Sequence, residues 1–489
     1  MRTRSDVAVL GAGFGGLTVT HRLAQSGFDD VVIFERDEGV GGTWRANAYP
    51  GAACDVPSHL YSLSFAPNPH WSSGYAGQAE ILEYVEDCYD RFDVRRKVRT
   101  GTTVVSATWS DGDDRWLLID QDGNAHDARV LVSAVGMFNT PSIPAITGLD
   151  DFAGTMFHSA RWDHGHDLTG RRVAVIGTGA SAIQVVPAIA ERTAHLDVYQ
   201  RTAPWVLPRR NDPYDADRQQ VFATQPDVAA GHRHELYEMF ERTTAFVAGD
   251  PSVEVITAIA RDHLETSVAE PDLRARLTPG QPFGCQRTLV SSDYFGAVQR
   301  AEVDLVTTPI DRITPGAVRT VDGVERPVDT IVLCTGFRAG DYLCGIDVVG
   351  RSGTTLHDRW AGRPQAYLGL AVPDFPNFFM LYGPNTNQGG NSILLILEAQ
   401  SQFVAAALEA MGRVEAATVE VTTEAMARYA AELERDLATT VWTNGCRSYF
   451  HNASGDIVTQ LPHTSGWYRD ATASIDEADF TFGRGAGQV

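Results

Sequence analysis

The stretch DVAVLGAGFGGLTVTHRLAQSG (Asp6–Gly27) predicts a buried parallel strand, a GxGxxG turn and a helix, in that order. Gly11 allows the tight turn, Gly13 lets the backbone approach a pyrophosphate, and Gly16 permits close packing of the helix on the strand. The next strand-like segment, DVVIFE, ends in Glu35, whose carboxylate suits ribose hydroxyls. Together these features predict a domain that binds a dinucleotide at a helix N-terminus.

A second copy of the pattern follows in RRVAVIGTGASAIQVVPAIA, with Gly177 and Gly179 in the turn and an alanine in the third place. Its second strand-like segment, HLDVYQR, ends in Arg201, which follows Gly179 by 22 residues, just as Glu35 follows Gly13 by 22. A carboxylate would repel a 2′-phosphate, whereas a guanidinium can hold it through paired donors. The first site is therefore predicted to bind FAD and the second NADPH.

The composition limits the classes of partner. The 489 residues carry a formal net charge of −22, and Lys97 is the single lysine among 40 basic residues. Such an acidic chain without a basic face does not favour nucleic acid. The sequence has no run of about 18 apolar residues, the length that predicts a membrane-spanning helix. The six cysteines show neither CxxC nor metal-ligand spacing. We therefore expect separate reduced thiols, no metal site, no nucleic-acid or membrane partner, and a cytoplasmic location.

Two different dinucleotides in one chain indicate redox chemistry, in which NADPH gives hydride to the flavin and the flavin passes electrons onward. A dithiol reductase would need a cysteine pair beside the flavin, and Cys54 has no such partner near it in the sequence. Molecular oxygen is the natural remaining acceptor.

Several spaced motifs lie outside the glycine turns. Between the two nucleotide folds, FAGTMFHSARWD fits the spacing FxGxxxHxxxWD through Phe152, Gly154, His158, Trp162 and Asp163. Four further segments are GGTWRANAYPGAACD (41–55), PFGCQRTLVSSDYF (282–295), DTIVLCTGF (329–337) and YGPNTNQGGN (382–391). In this order and spacing the motifs resemble those of type I Baeyer–Villiger monooxygenases, within the flavin-containing monooxygenase superfamily. The resemblance runs over nearly the whole chain.

The resemblance implies an FAD- and NADPH-dependent enzyme that inserts one atom of O2 next to a ketone carbonyl, through a flavin peroxide, to give an ester or lactone. It marks Arg287 as the active-site arginine. A permanently charged guanidinium would stabilise the anionic oxygen and the tetrahedral adduct, and Asp55 would orient that guanidinium. His158 is the third candidate catalytic residue. It would couple motion of a hinge-like loop to cofactor position, or be a structural histidine.

The candidate cofactor-binding residues come from the turns and from the family-like segments. They are Gly11, Gly13, Gly16, Glu35, Thr43, Trp44, Asp55, Gly177, Gly179, Ser181, Arg201, Thr335, Gly336 and Asn391. Asn391 or Ser392 is expected to cap the apolar-periodic helix that follows. The positive end of that helix would face the flavin, or the helix would only pack.

These observations predict an α/β fold with two Rossmann-like dinucleotide-binding domains, for FAD and NADPH, and an inserted helical lobe. The FAD domain is expected over 1–145 and 338–489, and the NADP domain over 155–217 and 285–337. The lobe is expected over 218–284, where the sequence has helical periodicity and no strand alternation. We expect a monomer or a weak homo-oligomer that acts on a small-molecule ketone and O2.

Two positions depart from the family pattern. Gln286 stands where relatives commonly have a lysine, so the preference for NADPH depends on Arg201. Tyr449 stands where the family often has tryptophan, in a loop that closes over nicotinamide and substrate. Two other functions stay open: oxygenation of nitrogen or sulfur, which needs no Arg287–Asp55 pair, and a nucleotide-binding flavoprotein that no longer oxygenates and acts as a partner or regulatory module.

Overall fold

The computed structural model describes residues 2–242, 246–443 and 445–484, so that 1, 243–245, 444 and 485–489 of the predicted domains and lobe lie outside the described residues. The strands are β1 (Arg2–Leu10), β2 (Val31–Phe34), β3 (Val98–Arg99), β4 (Val104–Ser110), β5 (Arg115–Asp120), β6 (Ala125–Ser133), β7 (Thr155–His158), β8 (Arg172–Ile176), β9 (His195–Tyr199), β10 (Val206–Leu207), β11 (Leu289–Val290), β12 (Val303–Val306), β13 (Ile310–Thr314), β14 (Ala317–Thr320), β15 (Glu325–Pro327), β16 (Thr330–Leu333), β17 (Asp347–Val349), β18 (Phe378–Met380), β19 (Thr418–Val421) and β20 (Phe480–Gly483). The helices are α1 (Phe14–Gln25), α2 (Thr43–Ala46), α3 (Gln78–Arg91), α4 (Ala182–Ala190), α5 (Ala216–Thr224), α6 (Pro226–Glu241), α7 (Pro251–Ser267), α8 (Pro271–Leu277), α9 (Tyr294–Ala297), α10 (Leu356–Trp360), α11 (Ile393–Arg413), α12 (Thr423–Leu437) and α13 (Ser465–Ala471).

The larger sheet has eight strands in the order β17-β4-β5-β6-β1-β2-β3, with β18 beside the end of β6. Its centre is parallel: Val7–Leu10 of β1 pairs with Val31–Phe34 on one side and with Val130–Ser133 on the other. Strands covered on both faces need apolar side chains throughout, and Val7 and Val9 are accordingly fully buried. Helices α1 and α11 pack against each other within the core on this sheet.

The second sheet has five parallel strands in the order β12-β9-β8-β16-β7. It begins, like the first, with a buried strand, a glycine turn and a helix, here β8 and α4. Strand β16 then returns to the sheet between β8 and β7. The predicted α/β fold with two Rossmann-like units is confirmed.

The expectation that the FxGxxxHxxxWD segment is a loop is wrong for its central part, which is a strand. Thr155–His158 forms β7, the edge strand of the second sheet, paired with Thr330–Leu333. A Cβ on Gly154 would lie 2.6 Å from the carbonyl oxygen of Asp329. Glycine is therefore required there by a close approach of two backbones, and hydrogen bonds between the strands hold the histidine in place.

Most of the described part of the predicted lobe is helical. Helices α5, α6, α7 and α8 follow one another between residues 216 and 277. Ring contacts join the lobe to the rest of the chain. The ring of His59 packs 4.4 Å from that of Phe222 and 5.2 Å from that of His232, measured between ring centroids. The lobe thus covers the segment that follows Asp55.

By length and composition, helix α11 could cross a membrane. The expectation that no segment of this kind exists did not take this helix into account. Its mean hydropathy is 1.4, and 67% of the apolar window is buried inside the fold. Ser401 on this helix donates a hydrogen bond to Thr18 of α1 at 3.1 Å. In this structure it is a core helix, and Ser392 caps it by accepting a hydrogen bond from the N–H of Leu394 at 3.3 Å.

The expectation of six separate thiols is wrong for two of them. Cys285 and Cys446 form a disulfide with a Cα–Cα distance of 5.1 Å, although 161 residues separate them in the chain. Sequence spacing reveals pairs only when the partners lie close along the chain, so folding alone brings these two together. The other four cysteines, Cys54, Cys88, Cys334 and Cys344, are free.

A buried histidine links the central strands of the larger sheet. His126 of β6 is 3% exposed, and its ring nitrogens lie 2.6 Å from Thr3 Oγ1 and 2.9 Å from Ser5 Oγ, both on β1. Burial, aided by the charge of Arg99, lowers the pKa of His126 from 6.5 to about 4. Between pH 6.5 and pH 4 this histidine is protonated in the unfolded chain but neutral in the folded one. The free energy of unfolding therefore falls as the pH falls through this range.

We expect His126→Gln to weaken this pH dependence of the free energy of unfolding. Between pH 7 and pH 4.5 the variant should lose about 2–3 kcal/mol less stability than the unsubstituted protein. Part of the slope should remain, because the pKa of buried His59 is also lowered to about 4. Urea unfolding at the two pH values measures the effect, with exposed His70→Gln as control. Equal pH dependence in all three proteins would contradict this account.

Candidate active site

An elongated cavity lies at the carboxyl ends of β1 and β2, where open α/β sheets bind ligands. It extends from the acidic residues after β2 to the start of α11. Its lining includes Gly11, Gly13, Glu35, Asp37, Thr43, Trp44, Tyr61, Thr102, Phe138, Arg161, Phe337, Leu381, Tyr382 and Leu394. Five of the predicted cofactor-binding residues therefore share one cavity.

The first turn shows why its glycines differ. Gly11 has a φ of +100°, and a Cβ there would lie 2.7 Å from the carbonyl oxygen of Ala134. A Cβ on Gly16 would lie 2.2 Å from the carbonyl oxygen of Gly11, whereas one on Gly13 would meet its nearest atom, Gly42 Cα, at 3.6 Å. Packing within the protein thus requires Gly11 and Gly16. Gly13 faces open cavity, so only an approaching ligand requires glycine there.

Glu35 follows β2 directly and is 6% exposed. Its Oε2 accepts a hydrogen bond from the N–H of Ala12 at 2.7 Å, and its Oε1 accepts one from the N–H of Asp37 at 2.9 Å. Burial raises the pKa of Glu35, while these two N–H groups act against the rise. Glu35 lines the cavity, and each of its oxygens can accept a further hydrogen bond, which suits the hydroxyls of a ribose.

Arg287 and Asp55 form an ion pair across 232 residues of sequence. The distance from Arg287 Nε to Asp55 Oδ2 is 2.6 Å, and the side chains are 27% and 23% exposed. Burial disfavours both charges, but each partner outweighs it: the pKa of Asp55 is lowered and that of Arg287 is raised. Both side chains are thus charged near neutral pH, and Asp55 holds Arg287 by Nε, which leaves the guanidinium NH2 groups to other acceptors.

Two tyrosines lie near this ion pair. Tyr449 is 37% exposed, but desolvation of its hydroxyl raises its pKa to about 12, although the charge of Arg287 acts to lower it. The Tyr449 ring packs edge-on against Phe138 of the cavity lining, with 5.9 Å between ring centroids. Tyr382 donates a hydrogen bond to Asn387 Oδ1 at 2.6 Å. The ion pair and the cavity are therefore adjacent, with uncharged hydroxyls beside the guanidinium.

His158 ends β7 and is 4% exposed. Its Nδ1 accepts a hydrogen bond from the N–H of Ala160 at 3.1 Å. Its Nε2 makes no hydrogen bond of ordinary geometry among the described residues, although the backbone of Gly336 lies close enough to act on the pKa of the ring. Burial lowers the pKa of His158. The ring is therefore neutral with its proton on Nε2, and it stands 5.8 Å from the ring of Phe337, which lines the cavity.

In the second glycine turn, as in the first, one glycine is required by packing within the protein and another faces open space. A Cβ on Gly177, whose φ is +115°, would lie 2.3 Å from the carbonyl oxygen of Cys334, whereas Gly179 has no atom within 4 Å. Arg201 is exposed just beyond β9, and no ion pair holds its side chain among the described residues. The adjacent Thr202 accepts a hydrogen bond from Thr178 of the turn at 3.0 Å. The arginine thus stands next to the turn with a free guanidinium.

The structure does not bring every predicted residue to a cavity. Asn391 is 4% exposed and donates a hydrogen bond to Glu241 of the helical lobe at 2.7 Å. Its amide therefore joins α11 to the lobe. Thr335 donates to the carbonyl oxygen of Ser142 at 2.6 Å, and Gly336, with a φ of +78°, accepts from the N–H of Ser142 at 2.8 Å.

Sequence reasoning missed residues that join the two nucleotide folds. Gln184 of α4 accepts a hydrogen bond from Tyr49 Oη at 2.9 Å and donates one to the carbonyl oxygen of Ala53 at 3.0 Å. A Cβ on Gly51 would lie 2.6 Å from the carbonyl oxygen of Gln184. Ser181 stands at the start of the same helix, close to Tyr49. A glutamine inside a helix gives no sequence signal of such a contact.

One cluster outside the cavity bears on the expectation of no metal site. His195 Nε2 lies 3.4 Å from a carboxylate oxygen of Asp197 and 3.5 Å from one of Asp304, at the paired strands β9 and β12. Arg326 Nε lies 3.7 Å from the same oxygen of Asp197. The ligand atoms of His195, Asp197 and Asp304 lie close enough together to hold a metal ion, but the permanently charged Arg326 beside Asp197 opposes a second cation there.

Comparison with known proteins places this site in a family. The flavin-binding monooxygenase-like family matches residues 4–224. A Baeyer–Villiger monooxygenase of Pseudomonas aeruginosa is 40% identical over 477 residues, which cover 97% of this chain and 90% of that protein. This chain belongs to the Baeyer–Villiger monooxygenases.

Solved structures agree with this assignment. A steroid monooxygenase bound to NADP is 34% identical with a TM-score of 0.86, covering 99% of this chain and 100% of that one. Cyclohexanone monooxygenase from Rhodococcus sp. Phi1 bound to NADP+ is 30% identical with a TM-score of 0.89, at the same coverage. The protein is thus an NADPH-dependent flavoprotein monooxygenase of the Baeyer–Villiger type that uses FAD and NADPH, as its two glycine turns predicted.

The residues present fit FAD. The cavity has glycine backbone at Gly11 and Gly13, a buried carboxylate at Glu35 and apolar walls at Leu381 and Leu394. The open space in front of Gly13, which a Cβ would enter, lies at the N-terminus of α1, where backbone N–H groups favour a pyrophosphate. A dinucleotide with an extended aromatic end suits this combination of polar and apolar surface.

Proposed function

We propose that this monooxygenase converts a small-molecule ketone and O2 to an ester or lactone, with Arg287 as the catalytic cation and Asp55 as the residue that positions it. The observation that carries the proposal is the ion pair of 2.6 Å beside the cavity. Bound FAD would supply the redox chemistry between NADPH and O2. Side chains of this chain would stabilise charge and position the reacting groups.

Arg287 would stabilise negative charge on oxygen as it attacks the carbonyl and as the tetrahedral adduct forms. A guanidinium keeps its charge at any working pH and presents several donors in one plane. Because Asp55 binds only Nε, the remaining N–H groups can face a developing anion. Asp55 would also keep the guanidinium in one orientation, so that it need not reorganise during the reaction.

His158 would contribute a neutral donor rather than a proton-transfer group. Its lowered pKa keeps the ring uncharged, and its Nε2, whose closest polar neighbour is the backbone of Gly336, makes no hydrogen bond of ordinary geometry among the described residues. A buried donor without a partner is costly to leave unpaired. We propose that a bound cofactor accepts this hydrogen bond, which would couple the edge strand of the second sheet to the cofactor.

The assignment of strands to the two sheets supports the domain boundaries proposed from the sequence. Strand β16 ends at Leu333 within the second sheet, and β17 begins at Asp347 within the larger one, on either side of the boundary at residue 338. We further propose that the enzyme acts in the cytoplasm, as a monomer or weak homo-oligomer, without nucleic-acid or membrane partners; the net charge of −22 supports the absence of a nucleic-acid partner.

Product analysis tests the proposed reaction. The purified protein with FAD, NADPH and air should be given cyclic, linear and aryl ketones and a thioether, and the products identified by mass. We expect at least one ketone to gain one oxygen atom as an ester or lactone. Oxygenation of the thioether alone would instead favour a heteroatom monooxygenase.

Arg201 provides a test of the coenzyme site. A charge-assisted contact to the 2′-phosphate contributes about 1.5–3 kcal/mol, so Arg201→Gln should raise the KM for NADPH about 10- to 100-fold. The KM for NADH, which has no 2′-phosphate, should stay unchanged. Steady-state kinetics with both coenzymes measure the effect, and the exposed Arg192→Gln on the same domain is the control. Equal changes for NADPH and NADH would show that Arg201 does not read the phosphate.

A further inference from the structure

The disulfide between Cys285 and Cys446 joins two segments that serve the active site. Cys285 precedes Arg287 by two residues, and Cys446 precedes Tyr449 by three. Tyr449 contacts Phe138 of the cavity lining and lies close enough to Arg287 to be influenced by its charge. The covalent bond thus fixes the distance between the backbone that carries the guanidinium and the backbone that carries the tyrosine.

Non-covalent contacts hold the stretches that precede both cysteines. Trp442 Nε1 donates a hydrogen bond to the carbonyl oxygen of Gly284 at 3.0 Å. Phe246, Phe283, Val441, Trp442 and Phe450 form one buried apolar cluster around this contact. These contacts do not depend on the disulfide, so breaking the bond should leave the two segments docked at their bases.

Tyr449 and its neighbours are held more weakly. Gly445 and Arg447 are exposed, and Tyr449, 37% exposed, is held by ring contacts to Phe138 and Phe450. The chain is next anchored by its backbone at Phe450, whose carbonyl oxygen accepts a hydrogen bond from the N–H of Val458 at 3.0 Å. Between the anchored Trp442 and Phe450, the disulfide is the covalent restraint. Its loss would free the described residues 445–449 more than any other part of the site.

We propose that Cys285 and Cys446 form a reversible thiol–disulfide site, oxidised when Arg287 and Tyr449 are held at the cavity and reduced when the Tyr449 segment is released. This inference rests on the proposed function for its effect on oxygenation. The disulfide form keeps the positions on which catalysis depends. The dithiol form lets water reach the cavity, so that more NADPH is consumed without ester formation.

The redox step needs only a dithiol reductant. Its thiolate attacks one sulfur of the disulfide to form a mixed disulfide, and its second thiol then displaces the remaining protein thiol. The protein gains two electrons and two protons as two thiols, and the reductant leaves as its own disulfide. Cys446, at 8% exposure against 1% for Cys285, is the more accessible sulfur for this attack. Reoxidation by a glutathione-type disulfide reverses the steps.

The first test counts thiols and does not depend on activity. The holoenzyme is equilibrated in air or with dithiothreitol, denatured, alkylated and weighed. We expect four alkylated cysteines in the first case and six in the second, with a peptide linked through Cys285 and Cys446. Six alkylated cysteines in both preparations would overturn the proposal.

The second test measures release of the Tyr449 segment. Trypsin should cut after the exposed Arg447 at least about 5-fold faster in the reduced holoenzyme than in the oxidised one. Cys446→Ser should be cut at the fast rate in either state. Cys88→Ala, which removes a free cysteine of α3, should keep the dependence on redox state. Equal cleavage rates in the oxidised and reduced enzyme would overturn the proposal.

The third test follows ketone oxygenation. The yield of ester per NADPH should fall at least about 5-fold on reduction or in Cys446→Ser, with a matching rise in hydrogen peroxide. A yield that does not change between the two states would contradict a role in catalysis. If neither state makes ester, the proposed function fails, and the thiol count and the cleavage rates still decide the redox site.

Discussion

Arg287→Ala is expected to lower the rate of ester formation at least about 100-fold, the effect of removing a donor that stabilises a developing oxyanion. NADPH consumption should continue, with hydrogen peroxide as the product, because the alanine variant keeps both glycine turns. Rates of ester, peroxide and NADP+ formation measured on one sample separate these effects.

Two further variants sharpen the test of the guanidinium. Arg287→Lys keeps a positive charge but loses the planar donors and the Nε bond to Asp55, so its ester rate should lie between those of the alanine variant and the unsubstituted enzyme. Arg300→Ala removes a surface arginine that pairs with Glu191 and Glu302, and it should leave the ester rate unchanged. An alanine variant that still makes ester at a near-normal rate would refute the assignment of Arg287.

Alanine substitutions at Gly13 and at Gly16, two of the three glycines of the first turn, should impair different properties of the protein. Gly16→Ala places a Cβ 2.2 Å from a backbone oxygen, so we expect it to lower the free energy of unfolding by about 3 kcal/mol or more. Gly13→Ala meets no close protein atom, and its φ of −85° suits any residue. Its apoprotein should therefore be as stable as the unsubstituted one, but its affinity for FAD should fall at least about 10-fold, because the Cβ enters the space of the pyrophosphate.

Urea unfolding of the apoproteins and titration with FAD distinguish the two effects. Gly280→Ala is the control, since a Cβ at that exposed position meets no atom within 4 Å. If Gly13→Ala bound FAD as tightly as the unsubstituted protein, the cofactor would not approach the backbone at Gly13. If Gly16→Ala were as stable as the control, the packing of α1 on the turn would be wrong.

The parts of the fold that the sequence predicted are local and repeated. Each dinucleotide turn is encoded within about 30 residues as a buried strand, glycines and a helix. The two copies have similar positive φ values, +100° at Gly11 and +115° at Gly177. The resemblance to the family added Arg287 and Asp55, and the structure brings them into contact. Neither residue type nor spacing reveals a contact across 232 residues.

What sequence reasoning did not reveal are contacts between distant segments and one short strand. The partner of Cys285 lies 161 residues away, and that of Asn391 lies 150 residues away in the helical lobe. Strand β7 has four residues and no clear alternation, so its pattern cannot be separated from that of a loop. Only the parallel pairing with β16 makes it a strand.

The most direct test of the central claim is the fate of ¹⁸O₂ in a reaction with FAD, NADPH and a ketone that the enzyme accepts. We predict that the ester or lactone gains one ¹⁸O atom, in the new oxygen between the carbonyl and its former neighbour, and that Arg287→Ala loses this product while still consuming NADPH. Recovery of unlabelled ketone beside a labelled sulfoxide from a thioether would contradict the account.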